Sequence, residues 1–505
     1  MFVVTAKEMY DTDRYAMERV GLEGKMLMEN AGRAIAREME ASLAENDNIM
    51  ILVGKGNNGG DGFVIARTLL ERGYAVEVLQ CAETSDIRGD AAFHREVLLN
   101  MGYSISEYEG QDVESLLQDK DVVIDALLGI GIKGAIRPPY DYLITLINQY
   151  QGKVLSVDLP SGIPADEGYE VHQAVEADQT IVVQFPKVSS FLQHTAAFYG
   201  DWTTVDIGLP SNVIQSGENQ KKVWGRRDVV RTLPSRSSFS HKGTHGKGLV
   251  IGGAVAMPGS IAMTSRAALR AGAGLLTIAT VQENVTALAA NVVEATYHTL
   301  PSQHGHIRSL GELDFSYDGI AIGMGMGRHE QAPTIMKEAL LQTEGTLLID
   351  ADGLYALKQV LPSLSDREGT TVLTPHPGEM AHLLGITVPE LLQRPFSYAQ
   401  SFATEHDVYV VLKGAFTLIT NPKGDQWINP TGNAGLAKGG TGDVLSGILL
   451  SMLMQPQTVE EALCNGVWIH GYTADILIEQ KHSSYDLLAS DVIDGLPATY
   501  RNIFS

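Results

Sequence analysis

Two short stretches bring together residue types that do chemistry. At 439–443 the chain reads GGTGD, directly before the apolar run VLSGILLSML. Gly439, Gly440, Thr441 and Gly442 there present backbone amides at a helix N-terminus, an anion hole, and Asp443 falls in the first turn. A carboxylate beside an anion hole does not help to hold phosphate. It serves as a base that takes a proton from a hydroxyl attacking phosphorus, although a plain helix cap also fits Asp443. At 54–62 the chain reads GKGNNGGDG, five glycines in nine positions between an apolar run and a helical one. Such glycines let amides converge on an anion at a helix N-terminus, and a tight structural turn also accommodates them. The spacing is neither that of a Walker loop nor that of a G-x-G-x-x-G fingerprint.

Other chemistry-bearing residues end apolar runs. Asp125 and the loop GIGIKGA (129–135) follow DVVID; Asp158, Pro160, Ser161 and Gly162 follow KVLSV. A lone Asp at a strand end is often a cap or turn former. The two strand-terminal aspartates, Asp125 and Asp158, with Asn58 and Ser161 supply hard oxygen ligands suited to an alkali or alkaline-earth cation. His376 lies between two prolines in TPHPGEM, on a rigid loop. Glu379 suits either a Mg²⁺ shell or a surface cap, and His470, among apolar helical neighbours, reads as core.

The elements that position these residues alternate along the chain. Strand-like runs at 48–54, 75–81, 121–129, 153–162 and 180–186 are separated by helical patterns such as 62–73 and 88–102. A second series, at 248–253, 275–281, 319–325, 346–353, 371–375 and 408–414, ends its strands in Gly, Asp or Pro. Near-continuous Val/Ile/Leu strands between helices predict parallel sheets covered on both faces, with ligands at the strands' C-terminal ends. Thr5 and Glu8 have capping-box spacing before a helical pattern that runs through Val20. The stretch from about 210 to 245 turns polar and aperiodic, which places the boundary between two domains there. A chain of 505 residues exceeds one ordinary core, so two domains are the expectation.

Composition excludes several classes. A formal charge of −23 leaves no footprint for nucleic acid or an anionic membrane surface. Two cysteines, Cys81 and Cys464, build no disulfide framework. The N-terminus lacks signal-peptide character, and no apolar run reaches the roughly 18 residues of a membrane span. A cytoplasmic location is the resulting expectation.

LMENAG (27–32), GKGNNGGDGFVIAR (54–67), VIDALLGIG (123–131) and VDLPSG (157–162), in that order, closely resemble the epimerase domain of the NAD(P)H-hydrate repair enzymes. The resemblance covers most of residues 1–215. It implies a Rossmann-like, three-layer αβα domain that interconverts the two C6 epimers of hydrated NAD(P)H. It implies that Asn57, Asn58, Gly59, Gly60 and Asp61 bind the hydrate's phosphates and ribose. A substrate loop of Gly129, Ile130, Gly131, Ile132, Lys133, Gly134 and Ala135, together with Tyr140 and Asp158, joins them. Asp158 is then the proton-transfer group, and K⁺ lies on Asn58, Asp125 and Ser161.

GGTGD is the pattern of the ribokinase-like superfamily. With HKGTHGKGLVIGG (241–253), IGMGMGR (322–328), IDADGL (349–354), TPHPGEM (374–380) and LKGAFTLI (412–419), residues 225–505 look like the nucleotide-dependent NAD(P)H-hydrate dehydratase, a ribokinase-like α/β domain. The resemblance implies that Gly325, His376 and Asp443 contact the hydrate. Lys413, Gly414, Ala415, Phe416, Thr417 and Gly442 would contact the nucleotide, with Mg²⁺. The loop AMPGSI (256–261) closes on the hydrate through a residue that the sequence does not fix. Fusion of both halves resembles bacterial members, which use ADP; homo-oligomers are expected from the same resemblance. GGTGD alone also permits a kinase of a vitamin-type alcohol. A nucleotide-sensing interaction protein is a third reading, disfavoured because both halves carry a candidate catalytic Asp.

Overall fold

The computed structural model describes residues 1–110, 112–209 and 220–504. The chain divides into two compact units, Phe2–Glu218 and Asn219–Ser505. The expected boundary at 215 lies outside the described residues.

In the first unit all sheet pairings are parallel, and the strand order is Ser106–Glu107, Ala75–Gln80, Asn48–Val53, Val122–Ala126, Lys153–Val157, Gln179–Val183, Asp201–Val205. From Asn48–Val53 the chain winds outward to one edge, then returns to its other side at Val122–Ala126. The order reverses between these two strands, and such a switch point opens a crevice at their C-terminal ends. Apolar clusters fill both faces of the sheet, one around Ile51, Phe63 and Ile124 and one around Leu52, Val123 and Ile144. Thr5 caps the helix Ala6–Tyr15 in a capping box with Glu8, as its spacing predicts.

The helix after Asn48–Val53 begins at Asn57, five residues ahead of the expected start at 62. The segment NNGGD is therefore helix, not a loop in front of one. Its glycines are explained by crowding within the protein. A Cβ at Gly54 would lie 1.8 Å from the Leu127 carbonyl oxygen, one at Gly59 1.9 Å from the Gly54 carbonyl oxygen, and one at Gly62 2.7 Å from Val53. The helix thus presses onto the turn that feeds it, and among these five glycines only Gly56 faces open space. Gly59→Ala is expected to cost roughly 1–3 kcal/mol, because overpacking outweighs the better helix propensity of Ala. Gly134→Ala, with nothing near its Cβ, should stay within about 0.5 kcal/mol. Thermal unfolding of the two variants checks the contrast.

The second unit repeats the principle at larger scale. Its strands are ordered Lys221–Val223, Gln426–Asn429, Thr417–Thr420, Tyr409–Leu412, Thr371–Leu373, Thr346–Ile349, Gly319–Ile322, Lys247–Ile251, Leu275–Val281, Thr296–Leu300. The run from Tyr409–Leu412 to Thr296–Leu300 is parallel, and an antiparallel meander follows Tyr409–Leu412. The helix Thr441–Leu453 is buried along most of its length, consistent with an apolar character on every side. It packs on Pro258–Ala271 so closely that a Cβ at Gly447 would sit 2.1 Å from the Thr264 carbonyl oxygen. Among the described residues no helix is long and apolar enough to cross a membrane.

Candidate functional site

At the switch point of the first sheet lies a cavity of about 440 Å³. Asn57, Asn58, Asp61, Gly129, Ile130, Gly131, Ile132 and Asp158 border it, as do Tyr10 and Asp13 of the N-terminal helix. Gly59, Gly60, Lys133, Gly134, Ala135 and Tyr140 stand outside its lining. Gly59 and Gly60 are buried in packing. Lys133 lies over the Tyr169 ring, 6.0 Å from its centroid. Burial pushes the Tyr140 hydroxyl up to about 12, and it meets the Lys55 backbone in the turn before the helix.

The three oxygen-bearing residues expected to hold a cation do come together. The Asp125 carboxylate is fully buried and accepts from Ser161 Oγ (2.5 Å), the Ser161 amide (2.8 Å), Ser156 Oγ (2.9 Å) and the Leu127 amide (3.2 Å). Asn58 Nδ2 donates to the Leu128 carbonyl at 2.8 Å, and Ser161 Oγ lies 3.3 Å from the same oxygen. Burial raises the Asp125 pKa, and the Ser161 bonds oppose the rise. Each of these partners is neutral, so an ionised Asp125 calls for a compensating cation.

Asp158, at the end of Lys153–Val157, adopts a left-handed backbone with φ 67°. A branched polar residue there stores strain that the surroundings must hold. Its Oδ1 accepts from the Val183 amide at 2.9 Å and from the Lys187 ammonium. Lys187 is completely buried. The sequence reading missed Lys187 and Asp13. The only signal for Lys187 is a lysine just past an apolar strand, in QFPKVSS; Asp13 sits among many charged residues of an exposed-looking helix and gives none.

In the second unit a cavity of about 660 Å³ is bordered by His376, Lys413, Gly414, Ala415, Thr417 and Gly442, together with Asn433, Lys438 and His470. Phe416, Gly325 and Asp443 stand outside its lining. Gly440 takes φ 93° and lets the chain turn into the helix Thr441–Leu453, which places Asp443 in the first turn. Burial, with Asp350 adding repulsion, pushes the Asp443 carboxyl up to about 6; the Ser260 side chain bonds it and works the other way. Ser260 belongs to the AMPGSI segment (256–261), whose last four residues open the helix Pro258–Ala271 and so are not the expected loop. Gly325, with φ 61°, sits directly against this segment: a Cβ there would lie 2.7 Å from the Met257 carbonyl oxygen and 3.1 Å from Ser260 Cβ.

Lys413 meets acidic side chains. Its Nζ lies 2.9 Å from Asp350 Oδ1 and 3.9 Å from Glu379 Oε2. Burial disfavours the ammonium, but Asp350 and Glu379 prevail and hold its pKa above the ordinary value. Asp350, which also accepts from Ser446 Oγ at 2.6 Å, was within reach of sequence reasoning as a strand-terminal Asp in IDADGL. Glu379 caps the helix Pro377–Leu384, its Oε2 accepting from the His376 amide at 2.8 Å. It is buried, so the surface-cap alternative is corrected. Burial lowers the His376 pKa, with Lys413 adding to it. His470 is buried as expected, and burial pushes its imidazole down to about 4; it also borders the cavity.

A strand-switch cavity with buried carboxylates in one unit, and an aspartate at a helix N-terminus beside a lysine-bearing cavity in the other, define the class. The chain is a two-site α/β enzyme that joins a Rossmann-like unit to a ribokinase-like one. Comparison with known proteins narrows this. Residues 24–189 match the family described as YjeF-related protein N-terminus, and residues 248–497 match NAD(P)H-hydrate dehydratase. A bifunctional NAD(P)H-hydrate repair enzyme of Moorella thermoacetica is 36% identical, covering 100% of this chain and 97% of its own length. The Escherichia coli relative of the same description is 34% identical over 96% of this chain and 91% of its own. A crystal structure of the Bacillus subtilis ADP/ATP-dependent NAD(P)H-hydrate dehydratase, co-crystallised with ATP/Mg²⁺, is 36% identical with a TM-score of 0.52, covering 56% of this chain and 98% of that one. The chain belongs to the bifunctional NAD(P)H-hydrate repair enzyme family.

Proposed function

We propose that the chain repairs hydrated NADH and NADPH in two steps. The first unit, residues 1–215, interconverts the R and S epimers at C6. The second unit, residues 225–505, dehydrates the S form at the expense of ADP, giving AMP and phosphate. The observation that carries this reading is Asp443 at the N-terminus of a buried helix, in a chain similar along its whole length to bifunctional repair enzymes.

The chemistry explains the nucleotide. Hydroxide is a poor leaving group, so phosphorylating the C6 hydroxyl first converts it to phosphate, which the ring nitrogen's lone pair expels to restore the dihydropyridine. Asp443 takes the hydroxyl proton, and the amides of 439–442 meet the charge on the transferred phosphoryl group. Lys413, Gly414, Ala415, Phe416, Thr417 and Gly442 hold the nucleotide, while Gly325 and His376 hold the hydrate. Asp350 and Glu379 keep Lys413 charged and aimed. Among the described residues no set of three His, Cys, Asp or Glu is arranged to hold a metal ion. Mg²⁺ ordinarily binds through one or two carboxylates and the substrate's own phosphates; Asp350 and Glu379 would hold it here, where it would supply positive charge against the phosphates.

In the first unit Asn57, Asn58, Gly59, Gly60 and Asp61 contact phosphates and ribose, and the 129–135 loop with Tyr140 encloses the hydrate beside Asp158. Asn58, Asp125 and Ser161 would hold K⁺, whose charge would compensate that of the buried Asp125 carboxylate. Epimerisation is expected to be faster in K⁺ than in Na⁺ at equal ionic strength; equal rates would remove the ion from the site. Homo-oligomerisation rests on resemblance and is read by light scattering. The decisive assay supplies both epimers, ADP and Mg²⁺ and follows the reduced-nicotinamide absorbance. If none returns, the dehydratase assignment fails. A stable phosphorylated hydroxymethyl heterocycle would favour the vitamin kinase instead.

A further inference from the structure

The first unit's cavity collects more acidic groups than one proton-transfer residue requires. Asp13 from the helix Ala6–Tyr15, Asp61 from the helix Asn57–Glu71 and Asp158 from the turn after Lys153–Val157 all border it, and a fourth carboxylate, the half-exposed Asp90 of the helix Gly89–Asn100, stands at its edge. One buried ammonium, Lys187, stands against the first three carboxylates. With all three ionised the cluster carries a net charge of −2, which burial penalises, so it retains a proton near neutral pH.

The contacts decide where that proton resides. Asp158 is engaged by two donors, the Lys187 ammonium and the Val183 amide. Asp61 is buried, and burial with repulsion from Asp158 and Asp13 raises its pKa well above the carboxylate range. Asp13 lies between these extremes: burial raises it to about 6, with Lys187 opposing and Asp158 adding to the rise. The other charged groups of its own helix are engaged elsewhere. Lys7 and Arg14 pair with Asp11, and Glu8 closes the capping box at Thr5. The charges facing Asp13 from neighbouring elements are therefore Lys187, Asp158 and Asp61, and Tyr10 is its uncharged titratable neighbour.

We propose that Asp13 is a further catalytic residue of this site, the acid that protonates the departing C6 hydroxyl, and that Lys187 is a positioning residue that holds the Asp158 carboxylate in place. The proposal rests on the epimerase reading above. In the step it describes, the C6–O bond breaks with its electron pair on oxygen, which takes the Asp13 proton and leaves as water. The N1 lone pair forms the N1=C6 bond, and the resulting iminium cation lies among the carboxylates. Water then adds to either face of C6 and returns its proton to Asp13, so the cycle closes with no redox change. Ring opening would use one carboxylate as a base but pass through a neutral aldehyde, which a surplus of negative charge does not stabilise. The excess of carboxylates therefore selects C–O cleavage.

The test uses the full chain without ADP, so that the second unit is idle, and separates the two epimers by chromatography. In H₂¹⁸O the wild type should incorporate at least one ¹⁸O per inversion, since re-addition to the original face also exchanges the oxygen; inversion without exchange would overturn the cleavage step. Asp13→Asn should lower kcat on the order of 10²-fold with KM little changed, and should lose the alkaline limb of the pH–rate profile above about 6. Asp13→Glu should restore part of the rate. Lys187→Met should lower kcat with KM little changed, as Asp158 loses the ammonium that holds it, while Lys187→Arg should restore most of the rate. Wild-type kcat and pH profile in Asp13→Asn would sink the proposal. A wild-type chain that fails to interconvert the epimers would instead sink the functional reading of the unit.

Discussion

Asp443→Asn is expected to slow nucleotide-dependent dehydration about 10³-fold, within the range that a positioned general base contributes, while epimerisation by the same polypeptide proceeds at its normal rate. Asn keeps the shape and the Ser260 contact but cannot accept the hydroxyl proton. The wild type carries a pH signature that the variant lacks. Because burial first, and Asp350 second, raise Asp443 to about 6, the base is ionised above that value and gains a proton below it. Dehydration should fall as pH drops through about 6, and the residual rate of Asp443→Asn should show no such limb. A variant that dehydrates at the wild-type rate would reduce Asp443 to a cap. The hydrate's binding should change little, so the loss should appear in kcat.

Asp158→Asn is expected to produce the converse. Epimerisation should drop by roughly 10²–10⁴-fold, and with ADP present the chain should convert the S content of an epimer mixture quickly and then stall. The wild type should carry the same mixture to completion. This substitution has a second consequence: Lys187 is completely buried and loses its ionised partner. Breaking a buried pair on one side typically costs about 3–5 kcal/mol, so thermal unfolding of the first unit should shift downward. The two effects separate in Lys187→Met/Asp158→Asn, which removes the stranded charge. The double variant should recover stability but not epimerisation. Recovery of both would make Asp158 a structural residue.

These predictions draw on residues of different legibility. Asp443 and Asp158 could be read from the chain because each ends a local motif, a glycine-rich turn before an apolar helix or a polar turn after an apolar strand. Local chemistry fixes such positions, and the strand-by-strand alternation fixes the layers that carry them. Resemblance in sequence pointed to Asn58, Asp125 and Ser161 as a set, and the structure gathers them around Leu128. It could not show that all of Asp125's protein bonds come from neutral donors.

The stretch GKGNNGGDG shows the other side. Its glycines suggest a ligand pressing on the backbone, yet Gly54, Gly59 and Gly62 yield space to the protein's own chain, namely Leu127, the Gly54 carbonyl and Val53. Close approach of elements distant in sequence is invisible to a local reading. The same holds for Lys187 and Asp13, whose surroundings come from segments up to 174 residues apart, from 13 to 187. It holds also for Ser260, which reaches Asp443 across the fold. Sequence by itself determined the two α/β layers, the strand ends where chemistry gathers, and the principal aspartates, because short-range periodicity and turn chemistry encode them. Only the tertiary structure decided which carboxylates share a cavity, which one a buried lysine bonds, and which glycines serve packing. Those depend on distances and burial that arise when the sheets close.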